Sequence, residues 1–238
     1  VHPAMLAHQN PKSVFIGGGG EGATLREVLR HKSVERCVMV DIDDVVIDTS
    51  KKYLLQHHDG AYDDKRLDLQ VTDAGAYIDN TPDGSFDVIV LDLADPVAGG
   101  PCYQLYTKSF YEKLSKKLRA GGVLVTQSGP GGLGTCEEVF MPVQNTLRKV
   151  FKHVQPYVTH IPSFIDVYAF TMASNDVDVT KLSSQHVDTQ IQQRLDASKL
   201  QHYDGTTHVN MTNLPKYLRT AMEKTDFVIT EGNFAYIY

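Results

Sequence analysis

The sequence predicts an α/β fold: a mostly parallel, seven-stranded sheet with helices packed on both faces. Three observations lead there. Over the first 175 residues, short strand-like runs alternate with segments of helical period, the pattern of a parallel sheet covered on both sides. One run, Phe86-Asp87-Val88-Ile89-Val90-Leu91, is almost continuously apolar, as befits a strand at the centre of a sheet. The last two strand-like runs, His153 to Ile161 and Asp166 to Met172, are joined only by Pro162-Ser163-Phe164-Ile165. That link is too short for a crossover helix, so the two strands are expected to pair antiparallel.

The elements follow in order. Lys12 to Ile16 reads as a short buried strand that runs into Gly17-Gly18-Gly19-Gly20-Glu21-Gly22. A helix follows with Leu25, Val28 and Leu29 on one stripe. Val34 to Val40 is the second strand, and Asp43 to His57 one helix carrying Val45, Val46, Ile47 and Leu54. Asp43 itself suits the N-cap, where a short acidic side chain accepts from free backbone N–H groups. Leu67 to Val71 is the third strand and Phe86 to Leu91 the fourth. Phe110 to Leu118 is a helix that Gly121-Gly122 is expected to stop. Val123 to Gln127 is the fifth strand, Glu137 to Phe151 a helix, and the antiparallel pair closes the sheet. Beyond residue 175 the chain is more polar; Val187 to Leu195 and Leu214 to Met222 read as short helices and Phe227 to Ile229 as a strand. Residues 176–238 are expected to pack on the 1–175 unit as an extension.

Composition narrows the function classes. The net charge of −6 disfavours nucleic acid, which needs a basic face. No stretch approaches the ~20 apolar residues of a membrane span. Cys37, Cys102 and Cys136 are few and unclustered, which points to a reducing, cytoplasmic compartment and to neither a disulfide scaffold nor a metal site. His57 and His58 are adjacent on a helix end, do not share a face, and are expected to be solvated.

In an open α/β sheet, ligands bind outside the carboxyl ends of the strands, and the informative residues stand there. The glycines at 17–20 and 22 let backbone approach a ligand closely. Such a turn also suits a dinucleotide, but a pyrophosphate there wants a helix N-terminus and uncharged amides, and Glu21 would repel it. A ligand bearing positive charge would be attracted; complementing the helix dipole is the plainer role for Glu21. Asp41 ends the second strand, about twenty residues past the turn, where an acid accepts from ribose hydroxyls. Asp73 follows the third strand and could accept from an exocyclic amine, or be an ordinary loop residue. Asp92 and Asp95 share the loop after the central strand, where two carboxylates repel unless a cation lies between them. The chemistry this favours is attack by an amine on carbon bound to sulfonium, with a strand-end carboxylate taking the amine's proton and alignment supplying much of the rate.

Together, Gly18-Gly19-Gly20-Glu21-Gly22-Ala23-Thr24-Leu25-Arg26-Glu27, the Val40-Asp41-Ile42-Asp43 strand end and Asp92-Leu93-Ala94-Asp95-Pro96 resemble the spermidine synthase family of polyamine aminopropyltransferases. Five parallel strands closed by a hairpin is likewise similar to the Rossmann-like fold of AdoMet-dependent transferases. The resemblance implies transfer of an aminopropyl group from decarboxylated S-adenosylmethionine to a polyamine, leaving 5'-methylthioadenosine, with no tightly bound cofactor. It implies that Gly18, Gly20, Glu21, Asp41, Ile42, Asp73, Ala74 and Asp92 bind the donor. Within that set Glu21 takes the donor amine, Asp41 the ribose, and Asp73 with Ala74 the adenine. Asp92 would be the proton acceptor, and Asp92, Asp95 and Gln127 would bind the acceptor polyamine. Partners would be these small molecules and a second copy of the chain, as a homodimer or larger homo-oligomer.

Departures from the spermidine synthase pattern point to a subfamily. Glu21 replaces the usual Asp, Leu93-Ala94 replaces two small polar residues, and Gly99-Gly100-Pro101-Cys102-Tyr103 and Gln127 to Gly132 are similar to thermospermine synthases of plants and algae. Spermidine, converted to thermospermine, is therefore the expected acceptor, with spermidine or spermine synthesis as alternatives. Tyr103, Tyr106 and Phe164 could line the channel by cation–π contact or serve as plain packing. The family also has an amino-terminal β-strand domain that this chain lacks, so the chain is expected to begin inside a longer protein. A methyltransferase on the same fold is the main competitor; its donor would bring a carboxylate toward Glu21 and Asp92, which oppose it. A silent polyamine-binding homologue and a dinucleotide oxidoreductase are the remaining alternatives.

Overall fold

The computed structural model describes residues 1–237. Strands β1 (Ser13–Gly18), β2 (Arg36–Asp41), β3 (Leu67–Val71), β4 (Phe86–Asp92), β5 (Leu118–Pro130), β6 (His153–Ile161) and β7 (Asp166–Ser174) form one sheet in the order β3-β2-β1-β4-β5-β7-β6. The first four neighbouring pairs are parallel, and β7 runs antiparallel to both β5 and β6. Strand order reverses between β1 and β4, whose carboxyl ends flank the crevice where such sheets bind ligands.

Side-chain alternation along the strands builds a core on each face. Phe15, Val38, Ile89, Leu91 and Leu124 face one layer, against Ile78 of α5 (Ala74–Asp79), Phe110 and Leu114 of α6 (Lys108–Lys117) and Val143 and Leu147 of α7 (Phe140–Arg148). Val14, Ile16, Met39, Val88 and Val125 face the other, against Met5 of α1 (His2–Ala7) and Leu25 and Val28 of α2 (Ala23–Leu29).

Four expectations are corrected. The helix after β2 is two pieces, α3 (Asp44–Tyr53) and α4 (Leu55–His58), because Leu54 leaves helical geometry at φ −107°, ψ 42°. That break turns His58 inward: it is buried beside Tyr62, not solvated. Gly121-Gly122 does not stop α6, which ends at Lys117 as Leu118 turns directly into β5. The two glycines lie instead where pairing with β4 slips, Phe86 facing Leu118 but Val88 facing Val123. Phe227–Ile229 is not a strand; it is an irregular segment docked on α7, with Phe227 O accepting from Asn145 Nδ2 (2.9 Å) and Ile229 N–H donating to Thr146 Oγ1 (2.9 Å).

Past the sheet come α8 (Ser184–Arg194), α9 (Gly205–Thr212) and α10 (Lys216–Lys224). Val187 and Ile191 of α8 pack on Leu6 of α1, while Leu218 and Ala221 of α10 pack on Phe140 and Met141 of α7. The last described residues reach the ligand end of the sheet, where Ile237 N–H donates to Pro96 O at 2.9 Å. Among the described residues, no helix is long and apolar enough to cross a membrane.

Candidate active site

The site begins where β1 and β4 end side by side. Gly18 pairs with Asp92 in register. At φ +81°, a Cβ on Gly18 would lie 2.2 Å from the Asp92 carbonyl oxygen, so any side chain there would displace the strand end. Gly19 N–H donates to that same carbonyl at 3.1 Å. From the first turn of α2, Thr24 Oγ1 donates to Asp92 Oδ2 at 2.7 Å. Asp92 is thus held through both backbone and side chain, with its carboxylate only partly buried.

The second-strand acid is held by backbone. Asp41 Oδ2 accepts from Gly20 N–H at 2.8 Å and Oδ1 from Asp43 N–H at 3.0 Å. Asp43 caps α3 as expected, accepting from Val46 N–H at 2.9 Å. Asp73 also caps a helix: its Oδ1 accepts from Ala76 N–H at 2.7 Å at the start of α5. One Asp73 oxygen is therefore engaged, and a carboxylate retains further acceptor capacity for a ligand.

A slot of about 210 Å³ opens among these groups. Gly18, Asp41, Ile42, Asp73, Ala74 and Asp92 line it, and Leu93, Cys102 and Leu105 contribute apolar wall. The arrangement offers carboxylates for hydroxyl and amine donors around an apolar slot, which suits a nucleoside. Cys102 is not poised as a nucleophile, because burial, with help from the charges of Asp41 and Asp73, pushes its thiol up.

Gly20, Glu21, Asp95 and Gln127 lie outside the slot lining. Gly20 acts through Asp41, as above. Glu21 is half-buried, and burial followed by the charge of Asp92 pushes its carboxyl above the usual carboxylate range. Two acids this close favour a cation at their side. Asp95 is gripped at both oxygens by neutral donors: Gln127 Nε2 to Oδ1 at 2.7 Å, and the Tyr168 hydroxyl to Oδ2. Gln127 is buried and braced in turn, donating to Leu93 O at 3.2 Å and accepting from Gly129 N–H.

Of the aromatic candidates, Tyr106 is fully buried and donates to Ala94 O at 3.0 Å, so it supports the loop between Asp92 and Asp95 from beneath. Tyr103 packs edge-on against Phe234, with ring centroids 4.7 Å apart. Phe164 is exposed and leans on the Tyr168 ring at 4.6 Å.

Three residues that sequence reasoning gave no role complete the site: Thr24, Tyr62 and Tyr168. Thr24 carried a signal, as the first hydroxyl past the glycine turn. Tyr62, whose hydroxyl donates to Gly20 O, and Tyr168 carried none, since both arrive from elements distant in sequence.

Comparison with known proteins places the chain in a family. The model of the spermine/spermidine synthase domain matches residues 1–183. A thermospermine synthase of Arabidopsis thaliana is 44% identical over 242 residues, covering all of this chain and 69% of its own length. A polyamine aminopropyltransferase of Sulfurisphaera tokodaii is 40% identical over 233 residues, covering 98% of this chain and 76% of its own. Among solved structures, a spermidine synthase in complex with the transition-state analogue AdoDATO superposes with a TM-score of 0.82 at 29% identity, covering 94% of this chain and 74% of that one. Sequence and fold agree: the chain belongs to the spermine/spermidine synthase family and is an aminopropyltransferase.

Proposed function

We propose that the chain transfers the aminopropyl group of decarboxylated S-adenosylmethionine to spermidine, giving thermospermine and 5'-methylthioadenosine. The observation that carries this reading is the pair Asp92 and Asp95 at the end of β4, one beside the nucleoside slot and the other beyond it. In this reading the adenine lies by Asp73 and Ala74, the ribose hydroxyls donate to Asp41 next to Ile42, and the backbone at Gly18 and Gly20 makes room. Glu21 takes the donor's ammonium, whose positive charge offsets the burial and the Asp92 charge that push its carboxyl up.

Asp95, with Gln127, holds the acceptor so that its reacting amine meets Asp92. That amine must lose a proton before its lone pair can attack, and Asp92, held by Thr24 at 2.7 Å, is placed to accept it. The nitrogen then bonds to the aminopropyl carbon as the C–S bond breaks, and the bonding pair returns to sulfur. A sulfonium thereby becomes a neutral thioether, and the proton stays on Asp92. Alignment of amine, carbon and sulfur supplies much of the acceleration.

The acceptor assignment leans on the departures at Leu93-Ala94 and Gly99 to Tyr103 and on the name of the Arabidopsis relative. We also read residues 1–175 as the catalytic unit with 176–238 packed on it, working in the cytoplasm as a homodimer or larger homo-oligomer. The test is a product assay with decarboxylated S-adenosylmethionine and either putrescine or spermidine, with tetraamine isomers separated by chromatography. Thermospermine from spermidine is expected. Spermine from spermidine would move the attack to the other end of the acceptor, and spermidine from putrescine would replace the acceptor outright.

A further inference from the structure

Tyr62 sits in a short turn, Ala61–Asp63, between α4 and β3. Its hydroxyl donates to the carbonyl of Gly20, and on the other side of that residue Gly20 N–H donates to Asp41 Oδ2 at 2.8 Å. The two peptide planes flanking Gly20 are therefore each tied at one point, the first by Asp41 and the second by Tyr62. Because a peptide unit is planar and trans, fixing the Gly20 carbonyl also fixes the direction of the Glu21 N–H and the origin of the Glu21 side chain. Gly20 has no side chain of its own to resist rotation, so the restraint comes from these partners.

Tyr62 is itself immobilised. A Cβ on Gly22 would lie 2.8 Å from its ring, so the ring is packed directly under the glycine turn. His58 meets it edge-on, with centroids 5.1 Å apart and planes at 72°, and the Lys51 ammonium lies 5.1 Å from the ring centroid. Gly60 N–H donates to His58 Nδ1 at 3.2 Å, and no partner among the described residues meets His58 Nε2. This histidine thus serves as packing for the tyrosine. Burial, then the charges of Glu21 and Asp41, push the Tyr62 phenol up to about 12, so it remains a hydrogen-bond donor at working pH.

We propose that Tyr62 is a positioning residue for the aminopropyl donor, locking the Gly20–Glu21 peptide so that the Glu21 carboxylate meets the donor's ammonium. This rests on the reading of Glu21 given above. The test is Tyr62→Phe, which keeps the packed ring and removes one hydroxyl, assayed beside Glu21→Gln in the full chain. The Michaelis constant for decarboxylated S-adenosylmethionine is expected to rise about tenfold, the worth of one well-placed hydrogen bond. The acceptor's constant should stay as in the parent enzyme. So should the dissociation constant of 5'-methylthioadenosine, which lacks the ammonium, measured by calorimetry. If Tyr62→Phe weakened methylthioadenosine as much as the donor, Tyr62 would be general support for the turn and the proposal would fail. An unchanged donor constant in Tyr62→Phe beside a raised one in Glu21→Gln would overturn the positioning role and leave Glu21 in place. An unchanged donor constant in Glu21→Gln would remove the Glu21 reading and this one with it.

Discussion

The two halves of the site are held by different means. On the proposed donor side, Asp41 accepts from the backbone of Gly20 and Asp43, and Asp73 from the backbone of Ala76. Apart from Gly20, these partners lie two or three residues away. On the proposed acceptor side, Asp95 is held by side chains from β5 and β7, Gln127 and Tyr168, which lie 32 and 73 residues along the chain. Turn geometry, braced by the Tyr62 hydroxyl on the Gly20 carbonyl, therefore orients one half, and the packed sheet orients the other. A substitution on β5 or β7 is therefore expected to alter the Asp95 side without disturbing the turns that hold Asp41 and Asp73.

Asp92 stands at the seam, so its removal should have the largest effect. Its carbonyl accepts from Gly19 on the donor side, and its carboxylate accepts from Thr24. Asp92→Asn keeps an oxygen for Thr24 but cannot take a proton. We expect kcat to fall about a thousandfold, within the usual range for loss of a general base, with methylthioadenosine affinity retained by calorimetry. A variant with full turnover would take Asp92 out of the proton transfer.

The next effect belongs to the donor side alone. Glu21 has a folded-state pKa raised above its unfolded value, first by burial and then by Asp92. Between those two values the folded state binds the extra proton, so stability falls as pH rises through that window and the full penalty is felt above it. A bound ammonium reverses the preference, so donor binding should release a proton there, and the donor's Michaelis constant should rise as pH falls below the raised pKa. Glu21→Gln should raise that constant about tenfold to a hundredfold, the worth of a charge-assisted hydrogen bond, and flatten its pH profile. A slope that survived the substitution would belong to another group, and the donor side would then not be organised around Glu21.

This division also decides what could be read from the sequence. Gly18 to Gly22, Asp41, Asp43 and Asp73 announced themselves because their work is local: positive φ, a strand end, a helix start. The sheet and its antiparallel closure were legible for the same reason, through periodicity and a four-residue link. His58 was misread because a break at Leu54 cannot be seen in a helical pattern that continues across it. Phe227–Ile229 does not pair in the sheet because its backbone is satisfied by Asn145 and Thr146 side chains of α7, and strand propensity yields to such tertiary context. Tyr62 and Tyr168 were invisible because their partners are set by how α4, β3 and β7 pack, which no local spacing encodes.

Tyr168 provides the mildest and most discriminating test. Burial, its bond to Asp95 and the nearby charges of Asp95 and Asp166 push its phenol far up, so it donates at every working pH. Tyr168→Phe keeps the ring on which Phe164 rests at 4.6 Å and removes only the donor to Asp95 Oδ2, while Gln127 still holds Oδ1. Asp95 should then turn more freely, and the acceptor's Michaelis constant should rise about fivefold, a little under 1 kcal/mol for one shared hydrogen bond. Neither the donor's constant nor kcat should follow, because nothing on β1, β2 or β3 depends on that hydroxyl. Steady-state kinetics with each substrate varied in turn would show it. If the donor's constant rose in step, the two halves would be mechanically coupled through the loop between Asp92 and Asp95, whose Ala94 carbonyl is held by Tyr106 at 3.0 Å. That loop, more than either strand, would then be the place where polyamine choice and donor binding are set together.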